Sequence, residues 1–312
     1  MRIIASAAAL FALSSPAFAF PVTVKSCDRE VTFEEAPRAA VSHDVNLTEM
    51  MLALGLTDRM VGYTGVSGWT KFDEEIRAGV AELPELAEKY PGKEVLLGAG
   101  ADFFFAGWNY GMRIGGETTP ETLAPFGVRV YELTESCAQI MDKQAASMED
   151  MYNDLLNLGA IFGLSERAEA LVARYRAELD AIIAEAAPLP RPPRVFVYDS
   201  GEDAPFTAGR YAMPNALIEA AGGVNIMNEF EKSWATIGWE TVVERDPEII
   251  VIVNYGDVTA AQKRAFLTQN PAFADIAAVR NDRFVVLEYV EATPGPRNIR
   301  AVRKLAQAFR AQ

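Results

Sequence analysis

The chain has 312 residues, half of them hydrophobic, and a formal net charge of −14. That apolar content excludes a disordered chain, the length points to two lobes rather than one core, and the acidic balance argues against nucleic acid as a partner. One histidine and two cysteines in all leave too few nitrogen and sulfur donors for an ordinary transition-metal site, so no metal site is expected.

The opening stretch MRIIASAAALFALSSPAFAF carries Arg2, an apolar run from Ile3 to Leu13, and Ala17-Phe18-Ala19 in the small-x-small pattern of a signal-peptidase site. Residues 1–19 are read as an export signal cleaved after Ala19. The run is well short of the roughly 20 residues a bilayer requires, which disfavours a membrane anchor. Cys27 lacks the preceding residues of a lipoprotein site, so a free periplasmic protein is expected. In an oxidising compartment two isolated cysteines more often pair than stay as thiols, and a Cys27–Cys137 disulfide is expected.

After Phe20, two alternating segments around Cys27-Asp28 read as a hairpin. A strand at 38–42, a helix at 46–54 closed by Gly55 and a strand at 59–63 form a βαβ unit. A helix at 93–97, an apolar strand at 102–106, a helix at 120–126 and a strand at 128–133 complete an α/β lobe. A helical pattern at 147–162 leads into SERAEALVARYRAELDAIIAEAA, 165–187, where Ala168, Leu171, Val172, Tyr175, Leu179, Ile182 and Ile183 recur at steps of three and four. Ser165 is placed to cap this helix, and Pro188, Pro190, Pro192 and Pro193 end it. At about 1.5 Å per residue it is on the order of 33 Å long. Periodicity alone leaves open whether it braces two lobes or packs inside one.

Beyond the prolines the same grammar returns: strands at 194–199, 248–254 and 283–288, and helices at 214–221, 239–244, 260–269 and 296–311. The expected fold is α/β, with two Rossmann-like lobes of mostly parallel sheet, 20–163 and 188–312, joined by one long rigid α-helix over 164–187. One repeat is sharp. Glu94 precedes VLLGAGAD and then FFF; Glu240 precedes TVVERDPE and then IIVI. In each, a first-turn glutamate lies eight residues before another carboxylate. A glutamate there can simply complement the helix dipole, but a matched pair on two lobes would present one acidic knob each to a two-fold partner.

These segments resemble a known family, the periplasmic substrate-binding proteins of ABC importers for ferric siderophores, haem and cobalamin. The resemblance is carried by FPVTVKSC, LTEMMLALGLTDRMVGYTG, GKEVLLGAGADFFFAGW, LGAIFGLSERAEALVARY, NALIEAAGGVNI, GWETVVERDPEIIVIV and PGPRNIRAVRKLAQAF. It implies two lobes on one rigid helix, a monomer, no catalysis, no cofactor, and docking of Glu94 and Glu240 onto arginines of an inner-membrane permease dimer. GAGADFF departs from the usual Lys-Pro-Asp pattern, which bears on packing rather than on the acidic contact.

Ligands of α/β lobes lie beyond the carboxyl ends of the strands. The loops at 64–70, 107–113, 207–213, 232–236 and 288–293 each hold a Trp or Tyr. Their candidates for ligand contact are Trp69, Trp108, Tyr110, Tyr211, Trp234 and Tyr289, with Arg113 and Arg210 for an anionic group; core packing is the alternative for each ring. The resemblance puts a ligand-contacting aromatic at Trp108 or Tyr110. His43 either touches ligand or is a hydrogen-bonded histidine near the cleft wall. A ferric siderophore or similar bulky chelate is the expected ligand, with cobalamin or haem as alternatives. An α/β enzyme is disfavoured: GVSGW lacks the nucleophile-elbow spacing, and GAGADF leads into a strand. A scavenging protein that engages no permease would fit buried rather than exposed carboxylates at Glu94 and Glu240.

Overall fold

The structure, a computed structural model, describes residues 20–69 and 74–311; the proposed export signal at 1–19 lies outside them. An antiparallel hairpin of β1 (Val22–Ser26) and β2 (Arg29–Phe33) opens the chain. The first lobe follows as β3 (Ala40–His43), α1 (Val45–Ala53), β4 (Met60–Thr64), α2 (Glu74–Gly79), β5 (Glu85–Ala87), α3 (Lys93–Gly98), β6 (Phe103–Trp108), β7 (Gly111–Met112), α4 (Pro120–Leu123) and β8 (Arg129–Glu132). Its sheet runs β5-β4-β3-β6, with β7 and β8 on β6, and every pairing is parallel. Helices α5 (Met148–Ile161) and α6 (Ser165–Glu185) carry the chain across.

The second lobe comprises β9 (Arg194–Tyr198), β10 (Phe206–Ala208), α7 (Met213–Ala220), β11 (Val224–Asn225), β12 (Trp234–Thr236), α8 (Trp239–Arg245), β13 (Ile249–Asn254), α9 (Ala260–Gln269), α10 (Ala277–Arg280), β14 (Phe284–Glu288), α11 (Tyr289–Ala292) and α12 (Asn298–Arg310). Its parallel sheet is ordered β11-β9-β13-β14, and β10 pairs with β12 as a separate antiparallel ribbon. The central strands β6 and β13 are apolar almost throughout and do not alternate, because both faces of each sheet are covered.

The long helix buries Ala168, Leu171, Val172, Tyr175 and Ile182 and packs on α5 and α12. One apolar core runs without a break from Phe103 and Phe105 through this seam to Val195 and Ile249, so α6 braces both sheets. Three details differ from expectation. Ser165 is the first helical residue and not a side-chain cap, and Ile183 is 50% exposed. The helix expected at 296–311 starts only at Asn298, because Pro294, Gly295 and Pro296 break the chain after α11.

Hydrogen bonds also cross between the lobes. Asn46 Nδ2 donates to the Pro294 carbonyl at 2.8 Å, and Ala146 N–H donates to the Arg210 carbonyl at 3.0 Å. Glu135, fully buried in the turn after β8, accepts from Met213 N–H (3.0 Å) at the start of α7, from Ser233 Oγ (3.4 Å) and from Tyr110 Oη (3.2 Å). Burial outweighs these donors and pushes the Glu135 carboxyl up to about 7. Asp154, buried inside the first lobe, accepts from Tyr131 Oη (2.9 Å) and Thr134 Oγ1 (2.6 Å), and burial likewise pushes it up to about 7. The Cys27–Cys137 disulfide is present, ties the hairpin to the turn that carries Glu135, and closes a separation of 110 residues.

Two consequences can be measured. For a loop of that size, reduction should lower the unfolding free energy by about 5 kcal/mol; a urea midpoint indifferent to thiol reductant would contradict it. Glu135 and Asp154 bind their protons more tightly folded than unfolded. Their contribution is therefore complete below an unfolded value of 4.5 for Glu135 and 3.8 for Asp154, and is lost as pH rises through about 7. Stability should fall from about pH 4 to about pH 7, less steeply in E135Q and D154N, as read from denaturation midpoints. Slopes in both variants equal to that of the parent would refute this assignment.

Candidate ligand-binding cleft

A cavity of about 560 Å³ opens between the carboxyl ends of the two parallel sheets. Six of its lining residues are the first residue after a parallel strand: Asp44 after β3, Asn109 after β6, Arg113 after β7, Asp199 after β9, Tyr255 after β13 and Tyr289 after β14. That is where the fold leaves a crevice. Asp44 has a left-handed backbone (φ 68) and caps α1, its Oδ1 accepting from Val45 N–H at 2.7 Å. Its Oδ2 accepts from Tyr289 Oη at 2.7 Å, across the lobes. Asp199 Oδ1 accepts from Tyr255 Oη at 2.8 Å and from Ser200 Oγ at 2.9 Å, and the Tyr255 and Tyr289 rings lie 5.1 Å apart.

On the first lobe the wall is aromatic. The Trp108 indole N–H donates to Glu132 Oε1 at 2.8 Å, while Glu132 Oε2 is held by Arg29 (2.6 Å) and Ser26 (2.9 Å) of the hairpin. Tyr110 follows a tight turn at Asn109 (φ 65) and reaches Glu135. Tyr90 donates to the Asn109 carbonyl at 2.5 Å and lies 4.6 Å under the Arg113 guanidinium, so Arg113 covers one edge of the cavity. Trp69 lines the same side. On the second lobe Trp234 stacks on Phe206 at 5.7 Å and 22°, both carried by the β10–β12 ribbon.

The structure thus brings together Trp69, Trp108, Tyr110, Arg113, Trp234 and Tyr289. Arg210 and Tyr211 do not line this cavity. Arg210 donates to the Asn228 carbonyl at 2.7 Å and pairs with Glu231 at 3.5 Å. Both follow β10, an antiparallel ribbon strand whose end does not address the crevice. The sequence reading missed Asp44, Asp199 and Tyr255, which a strict rule of first residue after each apolar run would have found. It also missed Tyr90, which follows the three-residue strand β5. His43 is buried behind the wall and not in it. Its Nδ1 shares a 2.8 Å hydrogen bond with Thr64 Oγ1, and its ring meets Tyr90 edge-on at 4.9 Å. Gly65 and Gly111 are needed there, since a Cβ on either would fall within 2.2 or 2.5 Å of the imidazole.

Outside the cleft, Glu94 and Glu240 are exposed in the first turns of α3 and α8. Each helix is capped by a glycine, Gly92 or Gly238, without a capping side chain, and Glu240 folds back to within 2.5 Å of where a Gly238 Cβ would sit. Among the described residues no cluster of His, Cys, Asp or Glu is arranged to hold a metal, and no helix is long and apolar enough to cross a membrane.

Known proteins share this fold. A periplasmic binding protein from Veillonella parvula is 30% identical, with a TM-score of 0.81 over 93% of this chain and 98% of that one. An ABC-type Fe3+-hydroxamate transport system structure from Saccharomonospora viridis is 23% identical, with a TM-score of 0.80 over 94% of this chain and 100% of that one. A cobalamin-binding protein of Halobacterium salinarum is 24% identical over 297 residues, 94% of this chain and 75% of its own length. The family model described as periplasmic binding protein matches residues 121–290. More than half of the sequence fits that model and nearly all of the fold fits its solved relatives, so the chain belongs to the periplasmic binding protein family.

Proposed function

We propose that the protein is a periplasmic, non-enzymatic receptor that takes a ferric siderophore or similar bulky chelate into this cleft and delivers it to an inner-membrane ABC importer. The observation that carries the reading is a preformed cavity of about 560 Å³, walled by aromatic side chains from two braced sheets. Rings offer large flat apolar area at little entropic cost, which suits a bulky, rigid ligand. Likeness to the Fe3+-hydroxamate transport structure favours an iron chelate, and the Halobacterium relative keeps cobalamin as the second reading.

Glu94 and Glu240 are the proposed contacts for the two permease subunits. Both are exposed, which favours delivery over storage, and the seam of α6 holds their lobes at a nearly fixed separation. A single stiff connection permits only modest closure on ligand.

Titration with ferric desferrioxamine B, cyanocobalamin and haemin should quench tryptophan fluorescence saturably for at least one of them. Trp234→Ala should weaken that ligand by tenfold or more, and silence across all three would refute the reading. In the double variant E94A/E240A affinity should be unchanged while uptake by the host cell is lost; normal uptake would remove the docking role.

A further inference from the structure

Most of the buried donors of the cleft are already committed. The phenols of Tyr110, Tyr255 and Tyr289 donate to Glu135, Asp199 and Asp44 at 3.2, 2.8 and 2.7 Å. Tyr90 donates to the Asn109 carbonyl, and Trp108 to Glu132. The lining hydroxyls of Ser136 and Thr293 donate to the Leu133 and Tyr289 carbonyls at 2.7 and 2.9 Å. A hydroxyl that has given its hydrogen to the protein can only accept from a ligand. Burial first, and the facing carboxylate second, hold the Tyr255 and Tyr289 phenols well above their ordinary range, so they stay protonated and keep donating inward.

Charge points the same way. Asp44 and Asp199 are 2% and 3% exposed and come from opposite lobes, yet both face the cavity. Each carboxylate has capacity for about four hydrogen bonds. Of the nearby cations, Arg113 lies at the cavity edge over the Tyr90 ring and Lys263 lies outside the lining. Lys263 lies behind Tyr255, 4.9 Å from its ring centre, and donates to the Val253 carbonyl at 2.6 Å. Arg113, Asn109 and Gln139 add donors to the lining, but all three are exposed.

We infer that the cleft selects a chelate whose inserted end carries N–H donors or positive charge, such as amides or an ammonium group, and rejects one that inserts carboxylates. This rests on the cleft being the ligand site. An inserted amide N–H finds acceptors on both lobes. An inserted carboxylate meets two others in a low-dielectric space where the tyrosine hydroxyls are already engaged, and stays unpaired. Sites built on hydrogen bonding reject a mismatched ligand strongly, by up to about 10⁴ or more.

The test uses pairs that share a scaffold and differ in one end group. These are cyanocobalamin and its monocarboxylic acid, the N-acetyl and N-succinyl derivatives of ferric desferrioxamine B, and haemin diamide and haemin. Dissociation constants are read by fluorescence quenching of the full chain at fixed ionic strength. In every scaffold that binds, the amide member should be the tighter by tenfold or more, and the gap should narrow in D44N and in D199N. Pairs on the unmodified protein decide the matter even where a variant fails to fold. A carboxylate member binding as tightly as its amide partner overturns the inference and leaves the receptor reading standing. Failure of all six ligands overturns the receptor reading itself, and the inference with it.

Discussion

The apolar seam of α6 is the constraint on which the rest depends. Leu171, Val172, Tyr175 and Ile182 face α5 and α12 and join two sheets that share no strand. Full burial of a large side chain is worth roughly 1.5–3 kcal/mol as an upper estimate, so loosening this seam would cost a sizeable part of a typical domain's stability. The two sheets therefore move as a braced pair. Hydrogen bonds from Asn46 to Pro294 and from Tyr289 to Asp44 close the gap on the cleft side of that brace, which leaves the cavity formed before any ligand arrives.

Orientation inside the cavity is set by buried acids. Glu132 fixes Trp108, Glu135 fixes Tyr110, Asp199 fixes Tyr255 and Asp44 fixes Tyr289. Burying carboxylates is unfavourable unless they are hydrogen-bonded or paired, and each has a different compensation. Glu132 has the Arg29 guanidinium, Asp44 has the N-terminus of α1, and Asp199 has two hydroxyls. Glu135 has three uncharged donors, and burial outweighs them and pushes it up to about 7. The same bonds that stiffen the rings also remove their donors from the cavity, so rigidity and choice of ligand follow from one arrangement.

Legibility in the sequence tracked physical cause. Runs such as FFFAGW and IIVIV can only be covered strands, and the stripe of the long helix has no other consistent reading once both flanks are α/β. Trp108, Trp234 and Tyr289 could be found because large rings near strand ends are conspicuous. Asp44 and Asp199 could not, because a lone aspartate after an apolar run looks like an ordinary turn or cap residue until its tyrosine partner, 245 or 56 positions away, is known. Tyr90 was hidden by a strand too short for alternation to show, and Arg210 was misplaced because β10 looks like any other strand in sequence although it belongs to a ribbon.

The repeated pair of acids, eight residues apart in each lobe, separates into two roles. The inner acids are fastened. Asp102 accepts from Arg38 and Ala39 N–H at 2.8 and 2.9 Å, and Glu248 accepts from Arg194 N–H at 3.0 Å. Each therefore pins the start of the strand beside its own, β3 beside β6 and β9 beside β13. The Arg191 guanidinium, donating to both oxygens, does most to hold the Glu248 carboxyl down to about 2, and the Arg194 N–H adds to it. The outer acids lie on the helices that precede β6 and β13 and do not share the task. Glu94 and Glu240 sit over capping glycines, exposed on short helices that the pinned strands hold in place. A repeat that served only to fold the lobes would need the inner acid alone. The outer one complements the helix dipole in each lobe and, exposed at matching places in both, is also positioned for the proposed two-fold contact.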